Sequence, residues 1–399
     1  MSLLAAMSVL ASSPQDERGE VLLTEGAQRV HREGFVFDGH NDLPWKMRER
    51  AGSSFERVDI SESVPEFHTD IPRLFAGGVG AQFWSVYVPA TSTRPLHEVL
   101  EQIDLVRRMV ERYPETFEMA FDAADVERIR GAGKIASLIG IEGGHAIEDS
   151  LAVLRMLHHA GARYMTLTHS DTLDWADSAT DDAKSGGLSP FGEEVVRTMN
   201  ELGMLVDISH VSVETMLDAL RVTRAPLIAS HSSAFALAEH PRNVPDDVLE
   251  KVAENGGVVM INFFSGFVVA ESAKRLQDMF DVQRELEKEH PDFSEYRDAM
   301  AEWRRANPIE AGSVHDVVDH IQHVARVAGI DHVGLGSDFD GIPIVPRQLA
   351  DVSCYPYITQ ELLNRGFSEA DVHKVLGGNV LRVLRVAGEV ARGAGAANR

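Results

Sequence analysis

The sequence predicts a (β/α)8 barrel, and three observations point there. Eight short, near-continuous apolar runs recur along the 399 residues; amphipathic stretches separate them; and six of the eight runs end in histidine, aspartate or glutamate. Apolar runs without polar alternation suit parallel strands buried on both faces. Strands alternating with helices build a parallel sheet, and eight such units are the number that closes a barrel. A doubly wound sheet alternates in the same way, but no strand–helix turn here carries GxGxxG or GxxxxGK[ST].

Taken in order, the candidate strands are FVFDGHND (35–42), VGAQFWSVYV (79–88), IASLIGIEG (135–143) and ARYMTLTH (162–169). GMLVDISH (203–210), APLIASHS (225–232), GVVMINF (257–263) and HVGLGSDF (332–339) complete the set. Between them lie helical patterns such as SLAVLRMLHHAG (150–161), PFGEEVVRTMNELG (190–203) and SVETMLDALRVT (212–223). The last opens on Ser212 with Glu214 close behind, a helix-start pattern. One domain accounts for residues 1–399: a barrel over about 35–386, a charged helical insertion (265–308) between the seventh and eighth strands, and a flexible tail (387–399). The long loop 170–190 follows strand four, on the side of a barrel that borders its active site.

Composition narrows the function. Hydrophobic residues make up 44% and charged residues 25%, ordinary for a soluble enzyme. A formal charge of −24 argues against a nucleic-acid partner, which needs a concentrated basic surface. Cys354 is the only cysteine, so neither an internal disulfide nor a thiolate metal site can form, and a reducing, cytoplasmic location fits best. The start, MSLLAAMSVLASSPQ, lacks the basic segment of a signal peptide, no stretch has membrane-spanning length, and the tail carries no lipid-anchor signal.

Catalytic groups of barrel enzymes sit at the C-terminal ends of the strands. Strand one ends in His40 and Asp42, strand three in Glu142, strand four in His169, strand five in His210, strand six in His231 and strand eight in Asp338. Alternation along a strand predicts that Asp38, His40 and Asp42 share one face, with Asp38 deeper, orienting ligands. A lone histidine at a strand end is more often structural than a ligand. Four histidines and three carboxylates at the same end of successive strands form a metal-ligand pattern. Nitrogen and carboxylate ligands without thiolate suit zinc, and also manganese, cobalt or iron. Five ligands exceed one open catalytic zinc but fit two ions sharing a carboxylate. Glu142 bridges in that scheme, His40 and Asp42 complete one site, and His210 with His231 completes the other. Two ions about 3.5–4 Å apart can hold a bridging hydroxide and polarise the bond it attacks. The carboxylated lysine that bridges metals in several amidohydrolases has no counterpart, since His169 occupies the end of strand four.

From Phe35 to Asn379 the chain resembles the renal, or membrane, dipeptidase family of zinc peptidases within the amidohydrolase superfamily. The resemblance rests on DGHNDLPW, GIEGGHAIED, MTLTHSDTLDWAD, DISHVS, ASHSSA, HPRNVPD and GLGSDFDG, which appear in that order. It implies a metal-dependent amidohydrolase-type barrel with two Zn2+ ions held by His40, Asp42, bridging Glu142, His210 and His231. It further implies that His169 binds and polarises the scissile carbonyl, that Arg242 clamps the free carboxylate of a dipeptide, and that Asp338 transfers the proton. His145 matches a family motif and is expected to support rather than ligate; Trp45 is a candidate for the pocket wall. The implied reaction is hydrolysis of free L-Xaa-L-Yaa and L-Xaa-D-Yaa dipeptides by a metal-bridged hydroxide. A noncovalent homodimer is implied by family analogy alone. N-acyl amino-acid deacylation on the same scaffold is the alternative, because those substrates also offer a carboxylate to Arg242. A deaminase would need no bridging Glu142, and a noncatalytic barrel would be favoured by a missing ligand or a missing Asp338.

Overall fold

The computed structural model describes residues 18–289 and 293–397. The amino-terminal stretch 1–15, read above for export features, and the last two residues of the expected tail lie outside them. Among the described residues nine strands form one parallel sheet: β1 (Val36–Asn41), β2 (Val79–Tyr87), β3 (Phe117–Met119), β4 (Ile135–Glu142), β5 (Ala162–Thr166), β6 (Leu205–Asp207), β7 (Ile228–Ala229), β8 (Val258–Ile261) and β9 (Val333–Leu335). Eight of them close a barrel in the order β1–β2–β4–β5–β6–β7–β8–β9, with β9 returning to β1. The ninth, β3, pairs with the first residues of β4, Ile135 to Ser137. Beyond that point β5 takes over the same edge of β4, from Ile139 to Glu142. A three-residue strand reading Phe-Glu-Met has no apolar run to announce it.

Side chains of the strands sort into two layers. Phe37, Phe83, Leu138, Tyr164, Leu205, Ile228 and Met260 pack together in the interior. Val36, Val79, Ile139, Met165, Val206, Val259 and Val333 join the larger apolar layer shared with the surrounding helices. Helices follow the expected stretches at Leu151–Ala160, Pro190–Leu202 and Val213–Val222, each capped by a serine whose hydroxyl accepts an early backbone N–H. At Ser212 that donor is Thr215 N, 3.2 Å away.

Several strands are shorter than their apolar runs. β7 spans only Ile228–Ala229, and β6 stops at Asp207. At the C-terminal mouth the backbone leaves the ladder, with His210 at φ 67° and Asp338 at φ 62°. Asp42, His169, His210, His231 and Asp338 therefore stand on residues just beyond their strands, whereas His40 and Glu142 lie at the ends of β1 and β4. Such left-handed conformations cost non-glycine residues energy and cluster where function imposes them.

Between β8 and β9 the chain adds three helices, Ser265–Val268, Ala270–Glu289 and Phe293–Ala306. The last helix runs from Asn379 to Ala397, across residues expected to form a flexible tail. Its Val380, Val383, Leu384 and Ala387 belong to the interior cluster, which anchors the helix at its start. Among the described residues no helix is long and apolar enough to cross a membrane.

Candidate active site

The first motif, Asp38-Gly39-His40-Asn41-Asp42, does not present one face. The β1–β2 register shifts between Asp38 and Asn41, which breaks the alternation. Phe37 faces inward, stacked on Phe83 at 5.4 Å. Asp38 faces outward instead, where its Oδ2 accepts the hydroxyls of Ser337 (2.6 Å) and Tyr355 (2.7 Å). Its other oxygen accepts Ser337 N at 2.8 Å and His40 N at 3.3 Å. The expected placement of Asp38 beneath the ligands is thus corrected: it pins the β1 and β9 ends together. After the irregularity His40 swings into the barrel mouth.

There the structure brings together seven of the expected groups. Glu142, at the end of β4, is central and divides its two oxygens. Oε2 faces His40 Nε2 at 3.4 Å, while Oε1 faces His210 Nε2 at 3.1 Å and His169 and His231 Nε2 at 3.5 Å each. His40 Nε2 also lies 3.3 Å from Asp42 Oδ2. The His210 and His231 Nε2 atoms are 2.8 Å apart. Potential ligand atoms fall within 4.8 Å of one another in three groups: His40, Glu142 and His231; Glu142, His169 and His210; His40, Asp42 and Asp338. His231 therefore faces both halves of the centre, its ring 3.9 Å from that of His40 and 4.9 Å from that of His210.

The donor set suits metal ions. His40 Nε2 and Asp42 Oδ1 are buried without a hydrogen-bond partner, which in a folded interior calls for a cation. Electrostatics say the same. Burial would lower His40, yet Tyr164 and the carboxylates of Glu142 and Asp42 raise it well above the usual imidazole value. Burial would raise Glu142, but His40, His210 and His169 hold it well below the carboxylate range. Burial pushes His210 and His231 well down, reinforced by Arg242 at His210 and by His40 and His210 at His231, so both rings are neutral and can offer lone pairs.

Asp338 reaches the centre from the loop after β9. Burial and the Asp42 and Glu142 carboxylates raise it well above its ordinary value, against the pull of His40 and a 2.9 Å hydrogen bond from Asn262 Nδ2. Gly341 passes so close that a Cβ there would lie 2.2 Å from Asp42 Oδ2 and 2.5 Å from Asp338 Oδ1. Arg242, 3% exposed, enters from the loop after β7, its guanidinium 5.3 Å from the Phe267 ring. His145 turns away, with Nε2 against the Val88 carbonyl at 3.1 Å.

Asp42, Glu142, His169, His210, Arg242 and Asp338 line a cavity of about 550 Å³, while His40 and His231 are buried behind it. One wall is a ladder of rings: Trp45 edge-on to Tyr87 (5.0 Å), Tyr87 on His169 (4.8 Å), and His169 stacked on His210 (4.3 Å). Phe264, Phe267, Ile342 and Pro343 contribute apolar surface, and Lys46, Glu49 and Asp340 contribute charge.

Reading the sequence missed three supports beneath the candidate ligands. Tyr164 crosses the barrel interior to place its hydroxyl 2.8 Å from His40 Nδ1. That path exists because residue 140 is glycine, where a Cβ would lie 2.0 Å from the tyrosine ring. Asp207 and Ser230 lie behind His231, with Ser230 Oγ 2.8 Å from its Nδ1. Tyr164 and Asp207 sit on strands and Ser230 directly follows one, and all three read as core, although the Asp-Ile-Ser-His order at 207–210 offered a signal.

Comparison with known proteins gives consistent answers. The family model for membrane dipeptidase (peptidase family M19) matches residues 24–398. Dipeptidase tcpJ of Claviceps purpurea is 41% identical over 367 residues, covering 89% of this chain and 77% of that protein. The crystal structure of the probable dipeptidase PvdM from Pseudomonas aeruginosa superposes with a TM-score of 0.80 at 25% identity, covering 92% of this chain and 98% of that one. A metallo peptidase from Rhodobacter sphaeroides, solved with a phosphinate mimic of the dipeptide L-Ala-D-Ala, shares the fold with a TM-score of 0.73. It is 23% identical, over 88% of this chain and 99% of that one.

Proposed function

The chain belongs to the membrane dipeptidase family and is a metal-dependent dipeptidase; we propose that it cleaves free L-Xaa-L-Yaa and L-Xaa-D-Yaa dipeptides at a two-zinc centre formed by His40, Asp42, Glu142, His210 and His231. The observation that carries this reading is the split of the Glu142 carboxylate, one oxygen toward His40 and the other toward the His210–His231 pair. Two zinc ions bound there supply an acidified water and an electrophile for the scissile carbonyl.

The remaining steps fall to this chain's own residues. Arg242 binds the substrate's free carboxylate with a planar fork that matches it. Anchoring that end fixes the scissile carbonyl relative to the centre, so orientation is set before reaction. His169 presents Nε2 beside Glu142 while Ser170 Oγ engages its Nδ1 at 2.9 Å. As a donor from Nε2 it stabilises the oxyanion that develops on the carbonyl. Asp338 takes the proton of the attacking water and returns it to the leaving amine. Asn262 holds one of its oxygens, and the raised affinity for a proton suits a group that must carry one between two partners.

The test is hydrolysis by zinc-reconstituted protein of L,L-dipeptides, L,D-dipeptides, their C-terminal amides and N-acetyl amino acids. Cleavage of both free dipeptide classes, with amides and N-acetyl amino acids left intact, is the expected pattern. Cleavage of N-acetyl amino acids in preference to dipeptides would assign the site to deacylation instead.

A further inference from the structure

We propose that Asp207 and Ser230 form a relay that fixes the tautomer of His231 and so sets how tightly the centre holds one of its two metal ions; this rests on the two-ion reading above. Asp207 is fully buried at the inward end of β6, in the layer just beneath the ligands. Its Oδ1 accepts the backbone N–H groups of Ser209 (3.0 Å) and Ser230 (2.8 Å). Its Oδ2 accepts the hydroxyls of Thr166 (2.5 Å) and Ser230 (2.6 Å). Four donors fill the acceptor capacity of a carboxylate, which has no hydrogen to give back.

The direction of the next bond follows. With its hydrogen committed to Asp207, the Ser230 hydroxyl can only accept from His231 Nδ1, 2.8 Å away. Nδ1 therefore carries the ring proton, and Nε2 points a bare lone pair at the centre, where it meets Glu142 Oε1 at 3.5 Å. The second lone pair of Ser230 Oγ faces Ser209 Oγ at 3.4 Å and does not compete. Ser209 Oγ in turn accepts His231 N at 3.1 Å, which holds the backbone of the ligand as well.

The three ligand histidines are not supported alike. His40 Nδ1 meets a neutral phenol, Tyr164, and His210 Nδ1 has no hydrogen-bond partner among the described residues. His231 alone is backed by a carboxylate through a hydroxyl. Asp38 shows that the relay is more than a generic strand-end lock. It also gathers four donors, but the Ser337 hydroxyl on it reaches no imidazole. A partner that orients a ligating histidine and raises its basicity is worth about 10- to 100-fold in metal affinity.

The experiment measures zinc stoichiometry and affinity of the full chain for wild type, Asp207→Asn, Ser230→Ala and Thr166→Val, with thermal melting as the fold control. Asp207→Asn keeps the shape but can turn an NH2 toward Ser230. The serine hydroxyl then donates to Nδ1, which drives the ring proton onto Nε2 and blocks the ligand. Expected is a loss of about 10- to 100-fold in affinity for one zinc equivalent in Asp207→Asn and Ser230→Ala, with the other equivalent unchanged. Thr166→Val removes a bond to the same carboxylate without touching the relay, and should bind both ions as wild type does. Wild-type affinities in both relay variants would overturn the proposal. So would an equal loss in Thr166→Val, which would reduce the network to packing. If Asp207→Asn does not fold, Ser230→Ala decides. A wild-type chain that takes up one zinc would refute the two-ion reading instead, and the relay then stands or falls on whether that single affinity drops in the same two variants.

Discussion

Replacing Arg242 with methionine removes a guanidinium that the folded chain leaves largely free. Among the described residues its terminal nitrogens reach only Ser232 Oγ at 3.3 Å and the His231 carbonyl at 3.2 Å, and Nε has no hydrogen-bond partner. Among the described residues no carboxylate lies in ion-pair contact with it. Burial lowers its pKa to about 10, opposed by Asp338, Glu142 and Asp207, so it stays charged at neutral pH. A buried charge with spare donors is poised for a carboxylate arriving with the substrate. Truncating one side of such a pair costs about 2–5 kcal/mol. At about 1.4 kcal/mol per decade, kcat/KM for a free dipeptide should fall by roughly 30- to 4,000-fold. The informative assay is kcat/KM for one dipeptide and for its C-terminal amide, on zinc-loaded protein. Wild type should discriminate by that margin, and Arg242→Met should bring acid and amide near parity. Stability should move the other way. An apolar side chain of similar length relieves an under-partnered buried charge, so the variant should melt no earlier than wild type. An unchanged acid-to-amide ratio in the variant would refute the clamp.

Asp338→Asn should cut turnover by about 10²- to 10⁴-fold while zinc content holds, because the lost step is proton transfer; a variant retaining most of its rate removes Asp338 from that role. Gly341→Ala forces a methyl to within 2.2 Å of Asp42 Oδ2 and 2.5 Å of Asp338 Oδ1, so zinc affinity and turnover should both drop in a folded protein. Wild-type zinc binding by that variant would contradict the placement of Asp42 at the centre. His320 is buried as the neutral ring, accepting Ala234 N at Nδ1 (2.9 Å) and reaching the Val268 carbonyl from Nε2 (3.2 Å), and burial lowers its pKa from 6.5 to about 4. The unfolded chain takes up that proton first, so the stabilisation is complete above pH 6.5 and is lost as pH falls toward 4. The window is worth about 3 kcal/mol at about 1.36 kcal/mol per pKa unit. Urea unfolding with a chelator present, at pH 7 and pH 4.5, should show the loss, and His320→Gln should show a shallower one. Parallel pH profiles for the two proteins would rule His320 out as the cause.

What could be read from the residues, and what could not, divides along a physical line. The barrel was visible because strands buried on both faces must be apolar throughout, and Val36, Val79, Ile135 and Val258 all begin such runs. Most candidate groups were visible because a polar residue ending an apolar run stands out. The supports were hidden by their own burial: Tyr164 reads as an apolar strand position, and Ser230 as a small residue in a short strand. The pocket walls were hidden for another reason, since Phe264, Phe267 and Ile342 come from loops whose paths depend on tertiary contacts. Asp38 and Asp207 make the limit plain. Each stands two residues before a polar strand-end residue, Asp38 before His40 and Asp207 before Ser209, and both gather four donors. Equal spacing would give them equal roles. Asp38 follows inward Phe37 and so faces outward to Tyr355, and the register shift after it turns His40 inward instead, whereas β6 pairs without interruption and keeps Asp207 inward under His231. Hydrophobic pattern specifies which face a strand buries, but it carries no record of where a ladder slips. One slipped residue parts Asp38 from the face of His40 and leaves it to lock two strand ends, whereas Asp207 can govern a ligand.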